Sequence, residues 1–223
     1  VSTRKEEITR NLQEVKERIN RAAQSAGRDP AEIKLIVVTK TFPVSDIEIL
    51  RELGEVNFGE NRDQEAVPKA QAVAATWHFQ GQIQSNKIKS ICGWADVIHS
   101  ISSEKEILKF AQSERKHQLF LQVSLDGQED RGGASPAALA HLAELVNESN
   151  NLELLGLMAV APLGIEAEKA FADLAQINQG FRSQFPNSKY LSAGMSGDFE
   201  AAIKFGATHI RVGSSILGSR SPH

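Results

Sequence analysis

The sequence predicts an α/β fold, a TIM-type (β/α)8 barrel of parallel strands with an extra N-terminal helix. Three observations carry this expectation. Strand-like runs recur at 34–40, 56–60, 77–81, 96–101, 118–125, 152–160, 189–194 and 209–213. Between them lie stretches with apolar residues every three or four positions, and such alternation means βαβ units in a parallel sheet. Eight units within 223 residues fit one compact barrel domain spanning 1–223. A doubly wound open sheet is the alternative. It usually carries a Gly-rich turn after its first strand, and here that turn reads Thr41-Phe42-Pro43.

The elements follow in order. Ile8, Leu12, Val15, Ile19, Ala22 and Ala26 form one face of the first helix, Gly27 ends it, and Pro30 forbids its resumption. The first strand, Lys34-Leu35-Ile36-Val37-Val38-Thr39-Lys40, is an apolar, β-branched run of the kind buried in parallel sheets. Leu139, Leu142, Ala143 and Val146 mark a later helix. Phe171, Leu174, Ile177, Phe181 and Phe185 mark another. The tail Ser219-Arg220-Ser221-Pro222-His223 reads as loose.

Composition narrows the function classes. The net charge of -3 argues against nucleic acid as the main partner. Arg62, Lys69, Lys87 and Lys89 read as solvated helix faces. No run approaches the ~18–20 apolar residues of a membrane span, and no signal-peptide core follows the N-terminus. A single cysteine, Cys92, suits a reducing compartment, so a cytoplasmic location without membrane contact is expected. The six His and one Cys show no metal-ligand spacing.

Chemistry in a barrel collects at the C-terminal strand ends, and phosphate favours the loops after strands seven and eight. Lys40 ends the first strand, and alternation turns it inward with Ile36 and Val38. A Lys in a partly apolar site has a lowered pKa and can form a Schiff base with a carbonyl, although a Lys can also snorkel to the rim of its strand. Strand seven ends in Ser192-Ala193-Gly194-Met195-Ser196-Gly197-Asp198, and strand eight in Gly213-Ser214-Ser215. Small residues and hydroxyls there suit an anion, or simply make turns. Arg211 alternates with Ile210 and Val212 and so points into the barrel. It has either a carboxylate partner or a ring nitrogen to meet. Asn61, after strand two, is placed to hydrogen-bond a ring hydroxyl. His78, in strand three, reads as a satisfied interior histidine.

An inward Lys, a small-residue cup and an inward Arg together suggest pyridoxal 5'-phosphate (PLP). The chain also resembles the single-domain PLP homeostasis proteins (YggS/PROSC-like). The segments that carry the resemblance are Gly27-Arg28-Asp29-Pro30, Val38-Thr39-Lys40-Thr41, Phe58-Gly59-Glu60-Asn61 with Gln64-Glu65, and His78-Phe79 with Gln84-Ser85-Asn86-Lys87. Gly156-Leu157-Met158, the 192–198 loop and Arg211-Val212-Gly213 complete them. The resemblance implies a barrel like the alanine racemase N-terminal domain, PLP held as an aldimine on Lys40, and a role in PLP balance. The expected cofactor contacts are Lys40, Asn61, Met158, Ser192, Met195, Ser196, Arg211, Gly213 and Ser214. Three departures from the family stand out. Ala193 replaces a usual Met and Leu217 a usual Phe, both expected to alter pocket shape. Arg131, in the segment 126–132, stands where Lys is common.

An Arg partner would leave the ring nitrogen unprotonated and weaken the electron sink that PLP catalysis uses. A racemase also needs a second acid–base group, and the only tyrosine, Tyr190, begins strand seven at the wrong end of the barrel. The expectation is a monomeric PLP holder that buffers the cofactor or delivers it to PLP-dependent apoenzymes. Two alternatives are an amino-acid racemase with another second base and a cofactor-free barrel enzyme acting on a sugar phosphate.

Overall fold

The computed structural model describes residues 2–128 and 132–218. Eight strands close into a parallel barrel: β1 (Lys34–Val38), β2 (Asn57–Glu60), β3 (Thr76–Phe79), β4 (Val97–Ile101), β5 (His117–Gln122), β6 (Leu152–Met158), β7 (Tyr190–Met195) and β8 (His209–Val212). β8 lies beside β1 with Arg211 opposite Ile36, so the sheet has no edge and the open-sheet alternative is excluded. The fifth and sixth strands are shorter than their apolar runs. Val123 makes only an isolated bridge to Ala134, and Val160 is exposed beyond the ladder.

Nine α-helices surround the barrel among the described residues: α1 (Arg4–Ser25), α2 (Val44–Glu52), α3 (Asp63–Ala72), α4 (Ile88–Trp94), α5 (Glu104–Phe110), α6 (Leu139–Asn147), α7 (Ala167–Gln184), α8 (Phe199–Lys204) and α9 (Ser214–Leu217). A capping box of Thr3 and Glu6 starts α1, and Gly27, at φ 66°, follows its end. Ile8, Leu12, Val15 and Ile19 are buried as their spacing requires, joined by Ala23 rather than Ala22. Helix α1 lies across α8 and α9. Arg18 pairs with Glu200 at 2.7 Å, Asn11 donates to the Ile216 carbonyl at 3.0 Å, and Arg4 donates to the Leu217 carbonyl at 2.9 Å.

The main core lies between strands and helices. Val97, Phe120, Leu155 and Met158 form a second, small cluster inside the barrel. The interior also holds polar side chains, with His78, His99, Ser192 and Arg211 all buried. Lys69 corrects the reading of a solvated face. It is buried, because it shares a side of α3 with Ala66 and reaches Glu60 at 2.6 Å. Ala193 and Leu217 pack in the outer core rather than beside the cleft, so their departures from the family do not reshape the pocket lining. Arg131 and the tail 219–223 lie outside the described residues. No helix among those described is long and apolar enough to cross a membrane.

Candidate functional site

A cleft of about 540 Å³ opens at the C-terminal ends of the strands. Lys40, Asn61, Met158, Met195, Ser196, Arg211, Gly213 and Ser214 all line it, joined by Val38 and Gln80. These residues come from six different strands or strand-end loops, and barrel closure brings them together. Ser192 is the exception. It is fully buried and does not line the cleft, because alternation along β7 turns it into the barrel interior beneath Arg211.

The backbone around Lys40 is held from both sides by α3. Thr39 faces outward, where its hydroxyl donates to Glu60 Oε1 at 2.6 Å and its carbonyl accepts from Lys69 Nζ at 2.8 Å. Lys69 Nζ also donates to Glu60 Oε1 at 2.6 Å. Burial pushes the Glu60 carboxyl up, against the hydrogen bonds from Lys69 and Thr39 that favour its ionised form. On the other side of Lys40, the Thr41 amide donates to Glu65 Oε2 at 2.9 Å. Thr41 has φ 69°, the one positive value at a non-glycine residue among those described. A β-branched residue there is strained, and such strain persists only where its surroundings over-determine it.

Arg211 lies on β8, the strand that pairs with β1, in register with Ile36. Nη1 donates to Ser192 Oγ at 2.7 Å and Nη2 to the Ala159 carbonyl at 3.1 Å. Burial lowers its pKa to about 10, which leaves the guanidinium charged at neutral pH. No carboxylate contacts it among the hydrogen bonds and ion pairs of the described residues, so the carboxylate partner weighed from sequence is not what satisfies it.

The loops after β7 and β8 meet at Ser196. The amides of Gly213 and Ser215 point at Ser196 Oγ, at 3.2 and 3.5 Å. Two amides converging on one hydroxyl oxygen tie the two loops together and hold Ser196 at the cleft. Gly213 permits the approach, since a Cβ there would come within 3.0 Å of the Val38 carbonyl. Gly194 serves another purpose. At φ 93°, a Cβ would meet Ala202 Cβ at 2.7 Å, so this glycine packs β7 onto α8.

The residues present fit PLP. Asn61 Oδ1 and Gln80 Nε2 are buried polar atoms on the cleft with no hydrogen-bond partner among the described residues, and such groups ask for a ligand or water. An amine, a guanidinium, an amide and the small residues Ser196, Gly213 and Ser214 surround one space. Sequence reading missed three features. Alternation along β4 would have turned His99 inward with Val97. Spacing on α3 would have put Lys69 beside Ala66. The strain at Thr41 has no sequence signature, because threonine is not a residue that marks positive φ.

Comparison with known proteins agrees with this geometry. Residues 10–221 match the family described as alanine racemase, N-terminal domain. The pyridoxal phosphate homeostasis protein of Corynebacterium glutamicum is 41% identical over 215 residues, covering 91% of this chain and 97% of that protein. Its counterpart in Mycobacterium leprae is 38% identical over 247 residues, covering 98% and 96%. The structure is similar to PipY of Synechococcus elongatus with PLP bound, at TM-score 0.78 and 33% identity, covering 90% of this chain and 100% of that one. An alanine racemase from Corynebacterium glutamicum shares the fold at TM-score 0.69 and 12% identity, covering 92% of this chain and 60% of that one. The chain belongs to the pyridoxal phosphate homeostasis protein family, built on the alanine racemase N-terminal domain.

Proposed function

We propose that this protein binds PLP in the cleft and takes part in PLP homeostasis, holding the cofactor for buffering or delivery without turning over a substrate. The observation that carries the reading is the convergence of Lys40, Arg211, Asn61, Ser196, Gly213 and Ser214 on one opening. The relatives' names and the PLP-bound PipY point the same way. When bound, PLP supplies an aldehyde, a phosphate and a ring able to accept electrons. Lys40 is the amine that would hold the aldehyde. Arg211 would donate toward the ring nitrogen, Asn61 Oδ1 would accept from the ring hydroxyl, and Ser196, Gly213 and Ser214 would face the phosphate. Met158, buried, and Met195, exposed, line the cleft and would pack against the ring. Ser192 acts through Arg211.

Two features favour a holder over a racemase. Arg211 is a permanent cation and does not protonate a ring nitrogen. Among the described residues lining the cleft, Lys40 and Arg211 are the ionisable side chains, and none of the lining residues is an Asp, Glu, His, Cys or Tyr that could serve as a second acid–base group. Tyr190 is at the opposite end of the barrel, packed edge-on against His209. The protein is proposed to work as a cytoplasmic monomer, with PLP-dependent apoenzymes as recipients.

Titration with PLP and with pyridoxal tests the binding mode. Loss of the phosphate removes several charge-assisted hydrogen bonds, so pyridoxal should bind at least about tenfold more weakly. Equal affinity for the two aldehydes would show that the two loops are only turns. Incubation with D- and L-amino acids should leave their chirality unchanged, and interconversion would favour the racemase.

A further inference from the structure

We propose that Asn57, His78, His99 and Ser192 form a one-way hydrogen-bond chain that holds the Arg211 guanidinium in place, making Ser192 and His99 positioning residues for Arg211. The proposal deepens the cofactor reading, but its first test does not depend on PLP.

The chain is continuous through the barrel interior. Arg211 Nη1 lies 2.7 Å from Ser192 Oγ, and Ser192 Oγ lies 2.8 Å from His99 Nδ1. His99 Nε2 lies 2.9 Å from His78 Nδ1, and His78 Nε2 lies 3.1 Å from Asn57 Oδ1. His78, His99 and Ser192 are fully buried, so each polar atom depends on these partners.

Arg211 fixes the direction. A guanidinium only donates, so Ser192 Oγ accepts from it. The serine proton then goes to His99 Nδ1, which must be bare. His99 therefore carries its proton on Nε2 and donates to His78 Nδ1. By the same step His78 carries its proton on Nε2 and donates to Asn57 Oδ1. Every member is satisfied. Reversed, with both protons on Nδ1, the chain would leave the buried Ser192 proton without an acceptor among these partners, at a cost of about 1–3 kcal/mol.

Charge supports the neutral form of both rings. Burial is the main cause that holds His78 and His99 well below the ordinary imidazole range. Lys34 on β1 and His209 on β8 add to it for both rings, and His78 and Arg211 add to it for His99. The ring of His99 also stacks on Phe120, with centroids 4.6 Å apart. Asn57 closes the far end with an amide, which supplies no proton. The chain is thus a brace and not a proton conduit.

The first test uses protein freed of PLP and labelled with 15N in histidine and arginine. His78 and His99, assigned by single His→Gln variants, should both be neutral Nε2–H tautomers from about pH 5 to 8. The Arg211 side-chain N–H signals should exchange slowly, and Ser192→Ala should speed that exchange at least about tenfold, one hydrogen bond's worth. Titration of either ring in that range, Nδ1–H tautomers, or exchange untouched by Ser192→Ala would overturn the proposal. The second test is a double-mutant cycle on PLP affinity. Ser192→Ala should weaken PLP about tenfold in the native background and have no effect beside Arg211→Gln. An equal loss in both backgrounds would mean that Ser192 does not act through Arg211. If the native protein takes up no PLP, the cofactor reading fails, while the exchange and tautomer data still decide the chain.

Discussion

Thr41 and Lys69 show how single residues set the position of Lys40. Thr41 sits at φ 69°, a conformation that costs a non-glycine residue about 1–2 kcal/mol. Thr41→Gly should therefore raise thermal stability, by about 1 kcal/mol after the added chain entropy, while loosening PLP retention because the backbone beside Lys40 gains freedom. A lower melting temperature with unchanged retention would contradict the role given to the strain. Lys69→Met should act oppositely. It leaves Glu60 buried and unpaired, which costs about 3–5 kcal/mol, and Glu60→Gln in the same chain should recover part of the loss. Denaturant unfolding of the three variants measures both effects. Lys40 and Arg211 were legible in the sequence because alternation alone turns them inward. Lys69 was not, since a lysine on a mixed helix reads as solvated until its helix face is known.

Helix α1 is the element outside the barrel repeat, and its contacts suggest why the chain keeps it. Asn11 and Arg4 donate to the last carbonyls of α9, and Arg18 pairs with Glu200 on α8. Helix α8 follows the loop that carries Ser196, and α9 begins at Ser214. Asn11→Ala should cost about 0.5–1.5 kcal/mol. It should also raise amide exchange across 213–218 before other elements are affected. Exchange that rises evenly over the whole molecule would show that α1 contributes only general packing. The extra helix and all eight strands could be read from periodicity. Strand ends could not, because Val123, Leu125 and Val160 continue the apolar pattern past the last ladder bond. Ser192 was misplaced for a related reason: the loop was read as one small-residue unit, whereas its first residue still obeys the alternation of β7.

At the scale of the whole molecule, the barrel encloses neutral imidazoles, and this sets its response to acid. Burial, with the positive charges of Lys34 and Arg211, lowers His209 from 6.5 to about 3, and His78 and His99 are also held well below 6.5. The unfolded chain takes up protons at these sites below pH 6.5, and the folded chain does not. Stability is therefore full above that pH and falls as the pH drops, by up to about 1.4 kcal/mol per pH unit for each histidine. Urea unfolding at intervals between about pH 5 and 7.5 should show this slope, and His209→Gln should flatten it. A flat profile would mean that the interior admits protonated imidazole. The central claim concerns the same enclosed space: that its open end holds PLP on Lys40. Borohydride reduction of the PLP-loaded protein, followed by peptide mass mapping, tests this most directly. The account predicts a reduced phosphopyridoxyl group on Lys40 alone, absent from the Lys40→Ala variant. A label on another lysine, or one that survives the loss of Lys40 unchanged, would contradict it.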